Sequence, residues 1–218
     1  MQLRNAFFGL LFTFGFGIAQ GAELQDTTGL SINLKALATS ADVIILAQVL
    51  DTDYLYRRGF PVEGSAYLRV LITYKSDGLP DIIEVYEVGL HEHECYFPNP
   101  SVLEEGRRYL LFLKRDEQQP ERYRGLNEGC ALDVLVASDN SYAIRIPVTG
   151  INLTDSLSDL ATPMTFSDPN ASESNETISQ KTRESYLEEG WLIAREDDYV
   201  YTHGLALSEF RQLVGGQN

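Results

Sequence analysis

The sequence predicts a mostly β protein: a small antiparallel barrel or sandwich of five or six strands with short flanking helices. Two observations favour this class. Short apolar segments rich in β-branched and aromatic residues recur along residues 43–148, separated by turn residues every ten positions or so. No helical pattern long enough for a crossover connection lies between them, which argues against an α/β fold.

The individual elements follow from their periodicity. A hydroxyl residue followed by helically spaced apolar positions predicts a short packing helix over residues 31–41. Residues 43–50 begin with an unbroken apolar run, which is typical of a strand that is buried on both faces at that end. The predicted strands are residues 43–50, 67–74, 82–88, 109–113, 131–136 and 142–148.

The strand over residues 67–74 alternates clearly. Its core-facing side is predicted to hold Leu68, Val70, Ile72 and Tyr74, because side chains two apart share a face of a strand. Residues 51–64 carry Tyr54, Tyr56, Arg57, Arg58 and Pro61, and we expect a long exposed hairpin loop there.

The composition changes after residue 160. Residues 161–185 are almost all Ser, Thr, Asn, Asp, Glu, Pro and Gln, which predicts a flexible linker. Residues 186–218 then form a small C-terminal segment that ends in a helix over residues 208–214, capped by Ser208 and ended by Gly215.

The N-terminus has the pattern of a cleavable signal peptide. Arg4 precedes an apolar stretch that is too short to span a bilayer, and small residues stand at 19 and 21. We therefore expect residues 1–21 to be removed and the mature chain to be periplasmic or extracellular, with no stable membrane insertion.

The formal net charge of −15 is spread along the chain. A surface of this sign repels phosphate backbones and anionic lipid, so the composition argues against nucleic-acid binding. Solubility is the simpler meaning of the charge.

Two cysteines, Cys95 and Cys130, are present in a chain predicted to reach an oxidising compartment. One structural disulfide between them is the simplest expectation. It would stabilise the fold by about 3 to 4 kcal/mol on the chain-entropy account.

Several segments in this order resemble the netrin-like module of tissue inhibitors of metalloproteinases and related bacterial secreted proteins. They are the helix-to-strand passage over residues 40–49, the strand over 67–74, Cys95 ahead of the strand in 106–113, and Cys130 opening the strand after it. The resemblance covers residues 31–148 and implies an OB-like five-stranded barrel.

The inhibitory mechanism of that family does not transfer. Its inhibitors chelate a catalytic metal through an N-terminal cysteine, whereas the predicted mature end here is Ala22-Glu23-Leu24. None of the family's inhibitory residues has a counterpart in this chain. Fold alone does not identify function.

A metal site is the most suggestive local alternative. In an extended strand His91, His93 and Cys95 would share one face, and imidazole and thiolate suit zinc or copper. The competing interpretation is a polar strand end that leads into a disulfide cysteine. His203 could complete a three-nitrogen site only if the C-terminal segment folds back.

Catalytic patterns are missing from the sequence. It contains no Gly-x-Ser-x-Gly, and carboxylate pairing cannot be read from composition. Tyrosines such as Tyr54, Tyr56 and Tyr67 suit a binding surface, but they also suit half-buried strand positions.

The sequence hypothesis is therefore an exported, non-enzymatic binding module without a cofactor, whose ligand is a protein, with an extracellular protease as one candidate. The alternative is an exported metal-binding protein that uses His91 and His93.

Overall fold

The computed structural model describes residues 30–32, 34–76, 78–87, 103–126, 130–148, 151–153, 159–174, 178–196 and 198–214. The predicted signal peptide, residues 1–21, and the residues His91, His93 and Cys95 lie outside these ranges. The strands are β1 Leu30–Ile32, β2 Val43–Arg57, β3 Phe60–Lys75, β4 Ile82–Glu87, β5 Arg108–Arg115, β6 Tyr123–Gly125, β7 Ala131–Val136, β8 Tyr142–Ile146, β9 Ile151–Leu153, β10 Thr162–Pro163, β11 Ser172–Glu173, β12 Leu192–Arg195, β13 Asp198–Tyr201 and β14 His203–Ala206. The helices are α1 Leu34–Ser40, α2 Gln180–Glu188 and α3 Leu207–Val214, with a 3-10 turn at Pro169–Ala171.

Five strands close into a barrel in the order β5-β2-β3-β4-β6, with β6 returning to β5. This confirms the predicted small OB-like barrel. The sequence prediction of an antiparallel barrel needs one correction, because β4 and β6 run parallel where Val85 is paired with Tyr123. The closing strand therefore completes a mixed barrel.

The first part of β2 and most of β5 are buried on both faces, as the unbroken apolar pattern predicted. Ile45 and Leu111 are fully buried inside the barrel, whereas Leu46 and Leu110 face a second core on its outer side. Two hydrophobic cores therefore share these two strands.

The outer core is covered by helices α1 and α3. The predicted spacing in α1 is confirmed, since Leu34, Leu37 and Ala38 are its buried residues. In α3 the buried residue Phe210 meets Phe112 and Tyr74 in edge-on ring contacts, with centroids 6.1 and 5.5 Å apart. The predicted C-terminal helix is thus present and belongs to this core.

The expected loop over residues 51–64 is instead a hairpin arm. Strands β2 and β3 continue to a two-residue turn at Arg58 and Gly59, both with positive φ (53° and 83°), and Arg57 is paired with Phe60. Prediction from composition was wrong here because polar and aromatic residues alternate on a solvent-exposed ribbon. We call residues 51–63 the hairpin arm; they lie beyond the pairings of β2 with β5 and of β3 with β4.

The segment predicted as a linker over residues 161–185 contains regular structure in its described parts. Strand β10 pairs with β14, the 3-10 turn follows, β11 pairs with β13, and α2 begins within it. The buried residues Asp168 and Ala171 attach this polar segment to the fold.

The C-terminal segment is likewise continuous with the main sheet. Strand β14 pairs with β8, so the sheet extends from the barrel through β7, β8, β14 and β10. A separate three-stranded sheet, β11-β13-β12, packs around Leu192 and Tyr201. None of the helices in the described ranges is long and apolar enough to cross a bilayer.

Candidate functional site

An open pocket of about 460 Å³ lies at the base of the hairpin arm. Three separate parts of the chain form it: the outer half of β2, the loop that precedes β5, and the 3-10 turn. Its lining residues are Thr52, Tyr54, Tyr56, Leu103, Glu104, Glu105, Arg107 and Asn170.

One wall of the pocket comes from alternate residues of β2. Thr52, Tyr54 and Tyr56 share a face because side chains two apart point the same way in a strand. Gly64 on β3 makes room for this wall. Its φ is +154°, and a Cβ there would collide with the backbone oxygen of Asp53 and lie 2.7 Å from Cδ1 of Tyr54.

The Tyr54 hydroxyl is buried, although the residue lines the pocket. Burial, followed by the charge of the nearby Glu87 carboxylate, raises the pKa of Tyr54 well above its ordinary value of 10. The phenol of Tyr54 therefore stays protonated and uncharged at physiological pH.

The loop before β5 forms the opposite wall and is attached to β2. The Gly106 N–H donates to the Val49 carbonyl at 3.0 Å, and the Val49 N–H donates to the Arg107 carbonyl at 2.9 Å. Leu103 is buried in the barrel core. These contacts fix the positions of Glu104 and Glu105 relative to the tyrosines.

Arg107 lies between the pocket and a buried ionic network. Its Nε contacts Glu104 at 2.6 Å and its Nη1 contacts Asp133 at 3.3 Å. The pKa of Arg107 is raised: burial opposes the charged form, but the Asp133 and Glu104 carboxylates outweigh it. Two carboxylates thus already neutralise this guanidinium.

The ionic network continues behind the pocket to the C-terminal sheet. Arg145 on β8 contacts Asp133 at 3.2 Å and Glu173 on β11 at 2.9 Å. Its guanidinium carbon lies 4.5 Å from the centroid of the Tyr201 ring, and the Tyr201 hydroxyl donates to Glu173 at 3.3 Å. Side chains from three strands in two sheets, β7 in the main sheet and β11 and β13 in the three-stranded sheet, are therefore tied to one buried cation.

Asn170 completes the pocket from the 3-10 turn. Asp168 caps this turn by accepting hydrogen bonds from the backbone N–H and the side-chain amide of Asn170, both at 3.0 Å. The Asp168 carboxylate also contacts Arg108 at 3.1 Å and accepts from the Val136 N–H at 3.2 Å. This carboxylate is what holds the polar segment against β5 and β7.

Of the residues predicted to form the disulfide or a metal site, Cys130 and His203 lie within the described ranges, and neither lines this pocket. Cys130 lies in the barrel core next to β7; its predicted partner Cys95 is outside the described residues, so the disulfide stays a prediction. The same holds for metal binding by His91 and His93.

His203 sits on β14, where its Nδ1 lies 2.8 Å from the Thr202 hydroxyl and its ring 5.8 Å from that of Trp191. Within the described ranges no group of three or more His, Cys, Asp or Glu side chains is arranged to hold a metal ion.

The sequence drew attention to Tyr54 and Tyr56 but did not connect them with the loop before β5. The available signal was the alternation of Thr52, Tyr54 and Tyr56, which is typical of a strand with one functional or packed face. Reading the segment as a loop removed that signal.

Comparison with known proteins found no matching family model, curated protein or solved structure. The resemblance to the netrin-like module therefore remains a prediction, and function has to be argued from the pocket and the arm themselves.

Proposed function

We propose that this chain is an exported, non-enzymatic binding module that recognises a protein partner through the hairpin arm and the pocket at its base. The observation that carries the proposal is the exposure of large apolar side chains on the arm. Leu55 is 48% exposed and Tyr56 is 55% exposed. They lie on opposite faces of a ribbon that projects beyond the barrel pairings.

Aromatic side chains next to a pocket are favourable contact groups for a protein partner. Tyrosine adds a large apolar area with a polar tip and loses little rotamer entropy when it is ordered. Tyr56 is both exposed on the arm and part of the pocket lining. A partner that covers the arm would therefore also reach the pocket.

The charged groups of the site favour binding over catalysis. Arg107 is paired with Glu104 and Asp133, and the buried Tyr54 is held neutral. An acid–base mechanism needs a group whose pKa is adjusted toward the working pH. Tyr54 and Arg107 are both shifted away from it.

An extracellular protease is the partner class to test first, and the resemblance to the netrin-like module is the only support for that choice. Export itself rests on the signal-peptide pattern of residues 1–21.

Site-specific photo-cross-linking in the native host tests the proposal. A photoreactive phenylalanine analogue would replace Tyr56, and in a matched control it would replace Arg195, an exposed residue of the C-terminal sheet. We expect a discrete adduct with one partner from position 56, absent from position 195 and competed by unlabelled protein. No adduct at position 56, or the same adducts at both positions, would contradict the proposal.

A further inference from the structure

The side chains that line the pocket favour a more specific ligand than a protein surface in general. It combines two tyrosine rings, two neighbouring carboxylates and one guanidinium within one open cavity. What such a pocket can bind depends on which of these groups remain available to a ligand.

The guanidinium is not available. Arg107 is bound by Glu104 at 2.6 Å and by Asp133 at 3.3 Å, and its side chain is mostly buried. An anionic ligand would have to compete with two carboxylates that are held in place by the fold. This makes recognition of a carboxylate or phosphate at Arg107 unfavourable.

A carboxylate is available. Glu105 is exposed at the pocket, and none of the ion pairs between described side chains uses it. With Glu104 matched to Arg107, the charged lining residues have one negative charge in excess. The chain as a whole has a net charge of −15, which adds a long-range attraction for cations.

The tyrosines favour the same sign of ligand charge. Tyr54 and Tyr56 both line the cavity, two residues apart on one face of the strand, and Tyr56 is 55% exposed. The face of an aromatic ring attracts an ammonium or guanidinium group within about 6 Å. Rings and an uncommitted carboxylate thus surround one space.

We infer that the pocket binds a lysine or arginine side chain presented by the partner protein, with the cation against Glu105 and the tyrosine rings. This inference rests on the proposed function. The cavity of about 460 Å³ accommodates one long side chain, whose methylene stem would pack along the pocket wall. The hairpin arm would then contact the partner surface around that side chain.

The test uses the mature protein labelled with ¹⁵N and two matched probes: N-acetyl-lysine methylamide and the uncharged N-acetyl-norleucine methylamide. We expect the lysine probe to shift the amide resonances of Tyr54, Tyr56 and Glu105 at millimolar concentration. The norleucine probe should leave them in place. Equal shifts from both probes, or lysine-induced shifts scattered over the acidic surface, would overturn the inference.

Two variants sharpen this result. Glu105→Gln keeps the shape of the side chain and should weaken binding of the lysine probe about twofold to fivefold, as expected for an exposed ion pair. Glu121→Gln removes an equally exposed carboxylate in the loop between β5 and β6 and should have no effect. If both variants bind the probe with wild-type affinity, Glu105 does not contact the cation and the inference fails.

The outcome for the inference can be separated from the outcome for the proposed function. If Tyr56 still cross-links to a partner but the lysine probe does not bind, the protein-binding proposal is supported and the proposal of a cationic ligand is refuted. If the lysine probe binds the pocket but no adduct forms at position 56, the cationic ligand is supported and the protein-binding proposal is refuted.

Discussion

Replacing Arg145 with methionine should destabilise the protein strongly, because it breaks the buried ionic network from its centre. Arg145 is the shared partner of Asp133 and Glu173, at 3.2 and 2.9 Å, and all three side chains are largely buried. Removing one member of a buried ion pair leaves uncompensated charge and costs about 3–5 kcal/mol. Here Glu173 loses its ion-pair partner, whereas Asp133 keeps its contact with Arg107.

Urea denaturation measures this cost. For an unfolding slope of about 2 kcal/mol per molar urea, the loss lowers the midpoint by about 1.5–2.5 M. Arg195→Met is the matched control, since Arg195 is exposed and its replacement should change the free energy of unfolding by less than about 0.5 kcal/mol. If Arg145→Met were as stable as the control, the network would not hold the C-terminal sheet to the barrel.

Three further predictions concern the barrel and the pocket wall. Gly64→Ala should lower stability by about 1–3 kcal/mol because its Cβ would collide with β2, whereas Gly78→Ala, also at positive φ but with nothing within 4 Å, should cost less in the same thermal melts. Leu111→Ala should cost about 2–5 kcal/mol in urea denaturation because the residue is fully buried in the barrel. Burial and then the Asp133 carboxylate raise the pKa of Tyr109, so the folded state binds that proton more tightly and stability falls as the pH rises past the ordinary tyrosine value of 10. Tyr109→Phe should make the decline of the melting temperature above that pH shallower, and an unchanged slope would contradict this assignment.

The barrel could be predicted from sequence because its strands have simple patterns. Residues 109–113 are apolar without interruption, and the structure places them in β5 between β2, β6 and β7. Leu34, Leu37 and Ala38 have helical spacing and form the buried side of α1. In both β5 and α1, the residues that form the local apolar pattern are the residues that are buried.

The hairpin arm could not be predicted in the same way. A two-stranded ribbon is exposed on both faces, so its alternation is between aromatic and charged residues and not between apolar and polar ones. Arg58 at φ 53° occupies a turn position that glycine or asparagine usually signals. The sequence therefore resembled a loop.

The pocket and the buried network depend on contacts that no local pattern contains. Glu104 and Arg107 are distant in sequence from Asn170, which is brought to the pocket by contacts of Asp168 with Arg108 and the β7 backbone and by backbone hydrogen bonds of the preceding residues. Nothing in the sequence marks the Asp168 carboxylate as buried, because it lies in a stretch rich in Ser, Thr and Asn. Composition alone consequently predicted a linker.

Tyr56 is expected to contact the partner without supporting the fold, because it is 55% exposed, and the Tyr56→Ser variant tests this directly. Once the cross-linked partner is purified, its affinity for wild-type and variant protein can be compared by calorimetry beside their thermal melts. We expect at least about a tenfold loss of affinity, the scale of an aromatic hot spot, with an unchanged melting temperature. Equal affinity, or a loss that only follows unfolding of the variant, would refute this role of Tyr56.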